Sequence, residues 1–584
     1  MYDTIIKGGT IYDGNGGDPV TGDVAIKDGL IVAVGEVEGT AARTIDADGA
    51  IVAPAWIDIH THYDGQVTWD TDMNPSASHG VGTIVMGNCG VGFAPVAPGD
   101  EKDLIELMEG VEDIPGTALY EGMPWGSWNT YPEYLDFLAS REYALNISSL
   151  VAHGAVRSYV MGERGRTNQA ATAEDLEKMG AIVEEALNAG AVGFSTSRIL
   201  GHRSIQGEPV PGTFANDDEV MAIAGALKRS GKGVFQIIPS STLGPGRPEM
   251  QEHSSLEQEI GLISRVSKDS GRPATFTLFQ IDDWSDKWRE ALELVRKGNA
   301  EGARVFPQVG SRPTGLVLSM ETYHPWMLRP TWRALKSLPL DQRLAELRKP
   351  EVKRAILSEE NHIDGVPMGS MEFGISMAEF DHTQTYKLTS NSNYEPTEAE
   401  SFAQLADGTN QPPEALVYDY LAADAGHMAI VFFTNYTDYN LEAVREMQLD
   451  ECTVTGLSDA GAHVSLIFDG VNPTYQLSYW TRDRERGDKL PLSYVIYRGT
   501  RRNAELFGFH DRGVIAPGKK ADINVIDYNN LSLGDIQICA DLPAGGRRIL
   551  QGAKGYRATL INGIATRLND EDTGARPGRL IRSA

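Results

Sequence analysis

The chain has 584 residues, 41% hydrophobic and 23% charged, which is enough for a large core and more than one folding unit. Its formal net charge of −29 argues against nonspecific binding to DNA, RNA or an anionic membrane, so no nucleic-acid or membrane partner is expected. Three distant cysteines form no CxxC pair, and there is neither a basic-then-apolar leader nor a long apolar run, so a disulfide framework, a signal peptide and a membrane span are not expected and a reducing, cytoplasmic compartment is.

Residues 1–50 read as short strands and hairpins. Thr4-Ile5-Ile6 and Thr10-Ile11-Tyr12 flank a turn at Gly8-Gly9, further strands follow at 23–26, 30–34 and 43–46, and Lys27-Asp28-Gly29 is a hairpin signal. At the other end, 513–522 leads into a strand at 523–527, and 558–565 is a hairpin around Asn562-Gly563. The two ends, 1–50 and 513–584, are expected to meet in a small β-sandwich beside a central domain, 51–512.

Eight strand-like runs lie in that central part, at 51–59, 83–87, 145–152, 191–196, 234–238, 274–279, 303–309 and 454–459. Amphipathic helices alternate with them. In 173–188, Leu176, Met179, Ile182, Val183 and Leu187 recur at helical spacing, and 217–229 is another such run. Eight βα units predict an α/β fold, a (β/α)8 TIM-type barrel. The seventh-to-eighth connection, about 310–450, is too long for an ordinary loop and reads as a lid or subdomain. It carries helical runs at 343–360 and 398–407 and the strand-like run Phe432-Phe433-Thr434-Asn435-Tyr436. Its aromatics Tyr323, Trp326 and Trp332 either shape a substrate pocket or form the lid's own core.

Sites in such barrels sit at the C-terminal ends of the strands. The first strand ends in IDIHTHYDG. Residues two apart on a strand share a face, so His60 and His62 aim two imidazoles into one space, a pair suited to a borderline-soft divalent metal such as zinc. They read otherwise as two surface histidines beside a turn. Cys89, in Gly87-Asn88-Cys89-Gly90, sits at the second strand's exit and reads as a metal ligand, a buried inert thiol or a nucleophile. Asp459, in Leu457-Ser458-Asp459, is a helix cap or a proton-transfer group beside a metal. His463 and His153 are each a substrate-orienting or an ordinary structural histidine. Ser197, with Arg198 and the pair His202-Arg203, lies at the fourth strand's end, and 236–240 and 279–283 close the fifth and sixth. Arg198, Arg203 or Arg312 offers a two-pronged grip on a carboxylate or joins an internal ion pair.

The blocks TIIKGGTIYDGNG, PAWIDIHTHYDGQ, MGNCGVGFAP, LVAHGAVR, GAVGFSTS, LSDAGAH and RGVIAPGKKADINVID span nearly the whole chain. In them the chain resembles the amidohydrolase superfamily, and within it the D-aminoacylase (N-acyl-D-amino-acid deacylase) family. The resemblance implies a barrel flanked by a β-sandwich from both termini, with zinc at the barrel mouth. It implies His60 and His62 as the first ligand pair, Cys89 as the family's cysteine ligand, and Asp459 as catalytic base and sometimes ligand. It also implies hydrolysis of the amide of an N-acylated D-amino acid, a small-molecule substrate.

The chain departs from that family at the fifth and sixth strands. Relatives carry a histidine at each, with a lysine that helps hold the substrate carboxylate. Here the stretches are Val234-Phe235-Gln236-Ile237-Ile238-Pro239 and Phe276-Thr277-Leu278-Phe279-Gln280-Ile281. After strand seven, Val305-Phe306-Pro307-Gln308 replaces an aspartate and a YPY-like stretch. A second metal position would keep only Cys89. One ion, held by His60, His62 and Asp459 with Cys89, is therefore expected, with Gln236, Gln280 and Gln308 lining the substrate site. Another amide, a carbamate or a lactone stays open as substrate. So do a deaminase, a binding protein on the same scaffold, and homo-oligomerisation.

Overall fold

The computed structural model describes residues 1–242, 255–281 and 286–583. Asp282 and Asp283, at the expected exit of the sixth strand, lie outside them.

Eight parallel strands form the centre. They are Trp56–Asp58, Val81–Met86, Asn146–Ser149 continued by Val151–Ala152, Gly193–Ser197, Val234–Ile238, Ala274–Thr277, Val305–Val309 and Val454–Thr455. Neighbours pair parallel from the first strand to the eighth. The third strand breaks at Leu150, but the ladder continues across it. Leu150 N donates to Met86 O (2.8 Å), and Val192 N donates to Ser149 O (3.0 Å). The ring closes where Thr61 bridges Ala460 in parallel and His62 N donates to Ala460 O (2.8 Å). The barrel expected from the alternation of elements is the barrel found.

The run 51–59 serves two sheets. Ile51–Pro54 pairs antiparallel with Ile523–Ile526 in a nine-stranded mixed sheet built from both chain ends. After Ala55, Trp56–Asp58 turns into the barrel. Ile6, Ile11, Val24, Ile26, Val52, Ile523, Val525 and Leu560 form this sheet's own core. The turn expected at Gly8-Gly9 is instead a bulge within one strand, Tyr2–Ile11. Gly8 has φ +72°, and a Cβ on Gly9 would stand 2.4 Å from Val52 Cγ2, so the kink lets a neighbouring strand pass close. The Asp28-Gly29 hairpin is as expected, with both residues left-handed (φ +52° and +75°).

The helix read at 173–188 is Ala173–Ala189, opened by a Thr172/Asp175 capping box. That read at 217–229 is Asp217–Ser230, capped by Asn216. The run 343–360 divides into Leu340–Leu347 and Pro350–Ser358, because proline lacks the amide needed to continue a helix and fits its first turn. Between strands seven and eight, Gly315–Ser319, Thr385–Leu388 and Met428–Phe432 form a separate antiparallel sheet, so the strand-like run near 432 belongs here and not to the barrel. A second core lies beneath it, with Trp326, Trp332, Leu344, Phe402 and Tyr418 all buried.

Candidate metal centre and active site

His60 and His62 follow the first barrel strand, each 1% exposed, with ring centroids 5.3 Å apart. The period-two spacing does what it promised: both Nε2 atoms reach the same point. Cys89 comes to it from a tight turn in which Gly87, Cys89 and Gly90 are all left-handed (φ +81°, +60° and +72°). A Cβ on Gly87 would stand 2.3 Å from Leu150 O, so glycine is needed for the second and third strands to lie this close. Cys89 Sγ lies 3.3 Å from His60 Nε2 and 3.6 Å from His62 Nε2. Asp459 Oδ1 lies 3.2 Å and 3.6 Å from the same two nitrogens.

The loop carrying Asp459 is held in uncommon backbone conformations. Leu457, Asp459 and His463 are left-handed at φ +64°, +47° and +49°. Such residues cost about 1–3 kcal/mol each and cluster at functional sites. Asn472 Nδ2 donates to Leu457 O (3.0 Å) and Asp459 N donates to His60 O (3.2 Å), which hold the loop in place. The histidine side chains are 1–2% exposed, while that of Asp459 is 20% exposed. The carboxylate is thus on the open side of the cluster.

Outer contacts orient the donors. His60 Nδ1 lies 2.7 Å from Gln308 Oε1, and a carbonyl oxygen there assigns the proton to Nδ1 and leaves Nε2 a free lone pair. His62 Nδ1 faces Glu112 Oε1 at 3.2 Å, within ion-pair distance but off the hydrogen-bonding angle. Asp58 accepts from His60 N (3.3 Å) and from Ser458 Oγ (2.5 Å), joining the first strand to the eighth-strand loop.

Burial drives the electrostatics. It lowers His60 to about 4, against the pull of Asp459, which favours the neutral imidazole that can ligate. It pushes the Cys89 thiol up to about 12 and the Glu112 carboxyl up to about 7. At Asp459 burial acts the same way, but His60, His62 and His463 outweigh it and hold the carboxyl well below its usual range. Two imidazoles, a thiol and a carboxylate therefore crowd one point, with no lysine or arginine in ion-pair contact with Asp459 or Glu112 among the described residues. A divalent cation fits this set. It would turn the thiol into a thiolate ligand and offset the nearby carboxylates, and the two N and one S donors of His60, His62 and Cys89 suit a borderline-soft ion. His60, His62 and Cys89 are the single such triad among the described residues.

The other expected residues divide into two groups. Gln236 reaches the cluster, where its Oε1 accepts from Cys89 N (3.1 Å) and its Nε2 is buried without a partner. His463 stands beside it, 20% exposed, with Nε2 3.6 Å from Glu112 Oε2, and burial lowers it to about 4. Ser197 Oγ lies 3.4 Å from His202 Nδ1. The rest are tied elsewhere. His153 uses both ring nitrogens, on Thr196 Oγ1 (2.8 Å) and Glu219 Oε1 (3.1 Å). Arg198 pairs with Glu259 (3.2 Å) and Asp217 (3.3 Å), and Arg203 donates to Gly207 O (2.8 Å). Arg312 pairs with Asp469 (2.5 Å) between the rings of Tyr394 and Phe468. Gln280 Nε2 donates to Asp438 (2.9 Å).

Glu112 escaped the sequence reading. A signal was there: it falls four residues after Met108 and seven after Ile105, on the apolar stripe of a helix, where a carboxylate is out of place.

Residues 43–564 match the Amidohydrolase family. An uncharacterized protein of Mycobacterium tuberculosis (strain ATCC 25618 / H37Rv) is 27% identical over 555 residues, 91% of this chain and 85% of its own. The D-aminoacylase of Alcaligenes xylosoxydans xylosoxydans is 32% identical over 235 residues, 40% of this chain and 43% of its own. A crystal structure of D-aminoacylase shares the fold at TM-score 0.64 and 22% identity, covering 100% of both chains. The N-acyl-D-glutamate deacylase of Bordetella bronchiseptica, solved with zinc and a phosphonate inhibitor, does so at 0.63 and 22%, covering 100% of this chain and 99% of its own. With the family match running through both the terminal sheet and the barrel, the chain belongs to the amidohydrolase family of hydrolases.

Proposed function

We propose that the protein is a zinc-dependent amidohydrolase that cleaves the amide bond of an N-acyl amino acid or a related N-acyl amide. The observation that carries this reading is that Cys89 Sγ (3.3 and 3.6 Å) and Asp459 Oδ1 (3.2 and 3.6 Å) each lie close to both His60 Nε2 and His62 Nε2. These four side chains would hold one ion. Gln236 at the fifth strand supports a single site, since a neutral amide is a poor replacement for an imidazole ligand. Bound there, zinc supplies Lewis acidity, acidifying water and polarising an amide carbonyl.

The chain's own residues do the proton work. Asp459 is the carboxylate placed for it, with Oδ1 3.2 Å and 3.6 Å from the Nε2 atoms of His60 and His62 and its side chain 20% exposed. Its position on the open side suits it to take a proton from water as the new C–O bond forms. It then gives that proton to the nitrogen as the C–N bond breaks, leaving a carboxylic acid and an amine. Gln236 Nε2, buried and unpartnered, is a donor for the carbonyl oxygen as it gains charge. The three unpaired cysteines support the expectation of a reducing, cytoplasmic compartment.

The names of the relatives make N-acyl-D-amino acids the first compounds to try. Metal analysis of the purified protein, then hydrolysis of N-acyl-D- and N-acyl-L-amino acids and simple amides before and after chelation, tests the proposal. One equivalent of zinc and loss of turnover on its removal are expected. Full turnover in metal-free protein would end the reading.

A further inference from the structure

One buried carboxylate at the site has no part in that chemistry. Glu112 ends the helix Glu101–Glu112 and is 1% exposed. It is poorly placed for a charge. The C-terminus of a helix disfavours a carboxylate, and no basic residue lies in the last turn. Its ion-pair partners among the described residues are two histidines, His62 (Nδ1, 3.2 Å) and His463 (Nε2, 3.6 Å).

The helix end cannot swing away. Leu104, Ile105, Leu107, Met108 and Val111 are buried and fix the helix register. The next residue, Asp113, is left-handed (φ +52°) and accepts from Tyr323 OH (2.8 Å) and Ser465 N (3.1 Å). The main-chain oxygen of Glu112 accepts from His463 N. Glu112 is therefore clamped between the first-strand histidine and the eighth-strand loop.

We propose that Glu112 is a positioning residue of the metal centre. Its carboxylate, 3.2 Å from His62 Nδ1 but off the hydrogen-bonding angle, acts on the ring as a buried charge and favours the orientation that turns Nε2 toward the ion. Its carbonyl oxygen accepts from His463 N and anchors the eighth-strand loop against the helix end. The proposal rests on the metal-centre reading above. Carboxylates behind a ligating imidazole raise its basicity and lock its orientation, and their loss weakens metal binding about 10–100-fold.

The test is calorimetric titration of the metal-stripped protein with Zn²⁺, together with its melting temperature and the visible spectrum of the Co²⁺-loaded form. Glu112→Gln keeps the size and an acceptor oxygen but loses the charge. Zinc affinity is expected to fall roughly 10–100-fold, with an altered cobalt spectrum and an unchanged melting temperature. Glu112→Asp, which keeps the charge, is expected to lie between Glu112→Gln and wild type. Zinc affinity that merely follows melting temperature across the three proteins would overturn the proposal, because a structural role predicts that order. His60→Ala separates the two readings. If it binds zinc like wild type, the metal centre itself is wrong. If it loses zinc while Glu112→Gln binds normally, the centre stands and the positioning role fails.

Discussion

Asp459 meets His60 twice across the seam where the barrel closes. Its amide donates to His60 O at 3.2 Å, and its carboxylate lies 3.2 Å from His60 Nε2. The backbone contact fixes where the carboxylate stands, so the side chain can be altered without moving the loop. Asp459→Asn is expected to keep the fold and lower turnover by about 10²–10⁴-fold, because a carboxamide cannot take the proton from water. A steady-state rate with metal content measured on the same sample checks this. Turnover within a few-fold of wild type would remove Asp459 from the proton path.

Cys89 separates ligand from nucleophile. The buried thiol, pushed up to about 12, is a poor nucleophile by itself, and a cation beside it is what makes a thiolate. Cys89→Ser is expected to weaken zinc binding at least about tenfold while turnover recovers in excess zinc, as for loss of one ligand of several. Zinc retained with turnover abolished would point to covalent catalysis by the thiol.

The barrel was legible because each parallel strand is a short apolar run bounded by turns, and the sequence spaces eight of them with helices between. The histidine pair was legible because its spacing matches the strand period. What stayed hidden depends on contacts far apart in sequence. Arg312 reads as a carboxylate grip or an ion-pair member until Asp469 is seen against it. His153 reads as a substrate-orienting or a structural histidine until Glu219, on a helix after the next strand, takes its Nε2. Glu112 looks like any helix-end acid until the helix register aims it at His62.

The His153–Glu219–Arg157 cluster is expected to govern stability. Arg157 Nε lies 2.8 Å from Glu219 Oε1, and both side chains are nearly fully buried. Burial pushes the Glu219 carboxyl up, but His153 and Arg157 outweigh it and hold it at about 2. A carboxyl with a folded pKa below its unfolded one binds fewer protons when folded. Its stabilisation is complete above the unfolded value of about 4.3 and fades as pH falls toward 2. Glu219→Gln strands a buried guanidinium and should cost about 3–5 kcal/mol at pH 7. Urea unfolding should show the gap between variant and wild type closing below about pH 4. A gap constant across that window would show that the ionisation of Glu219 does not set it.

Substrate charge is the last point the arginines decide. Arg198 is held by Glu259 and Asp217, and Arg312 by Asp469, so neither is free to grip a substrate carboxylate. Around the metal cluster, burial pushes the carboxyls of Asp58 and Glu112 up to about 7 and that of Asp64 up to about 6, while Asp459 is held low and supplies negative charge on the open side. Neither of these two arginines can offset the charge of an incoming carboxylate, and a bidentate arginine contact is among the stronger hydrogen-bonded pairs. Converting the free carboxylate of an N-acyl amino acid to a carboxamide is therefore expected to leave kcat/KM within about tenfold, or to raise it, since no transition-state contact is lost. Competition of the acid and its amide at one enzyme concentration measures this directly. A loss of about 100-fold or more on amidation, roughly 2.7 kcal/mol of binding, would mean that a cation outside these two arginines receives the carboxylate.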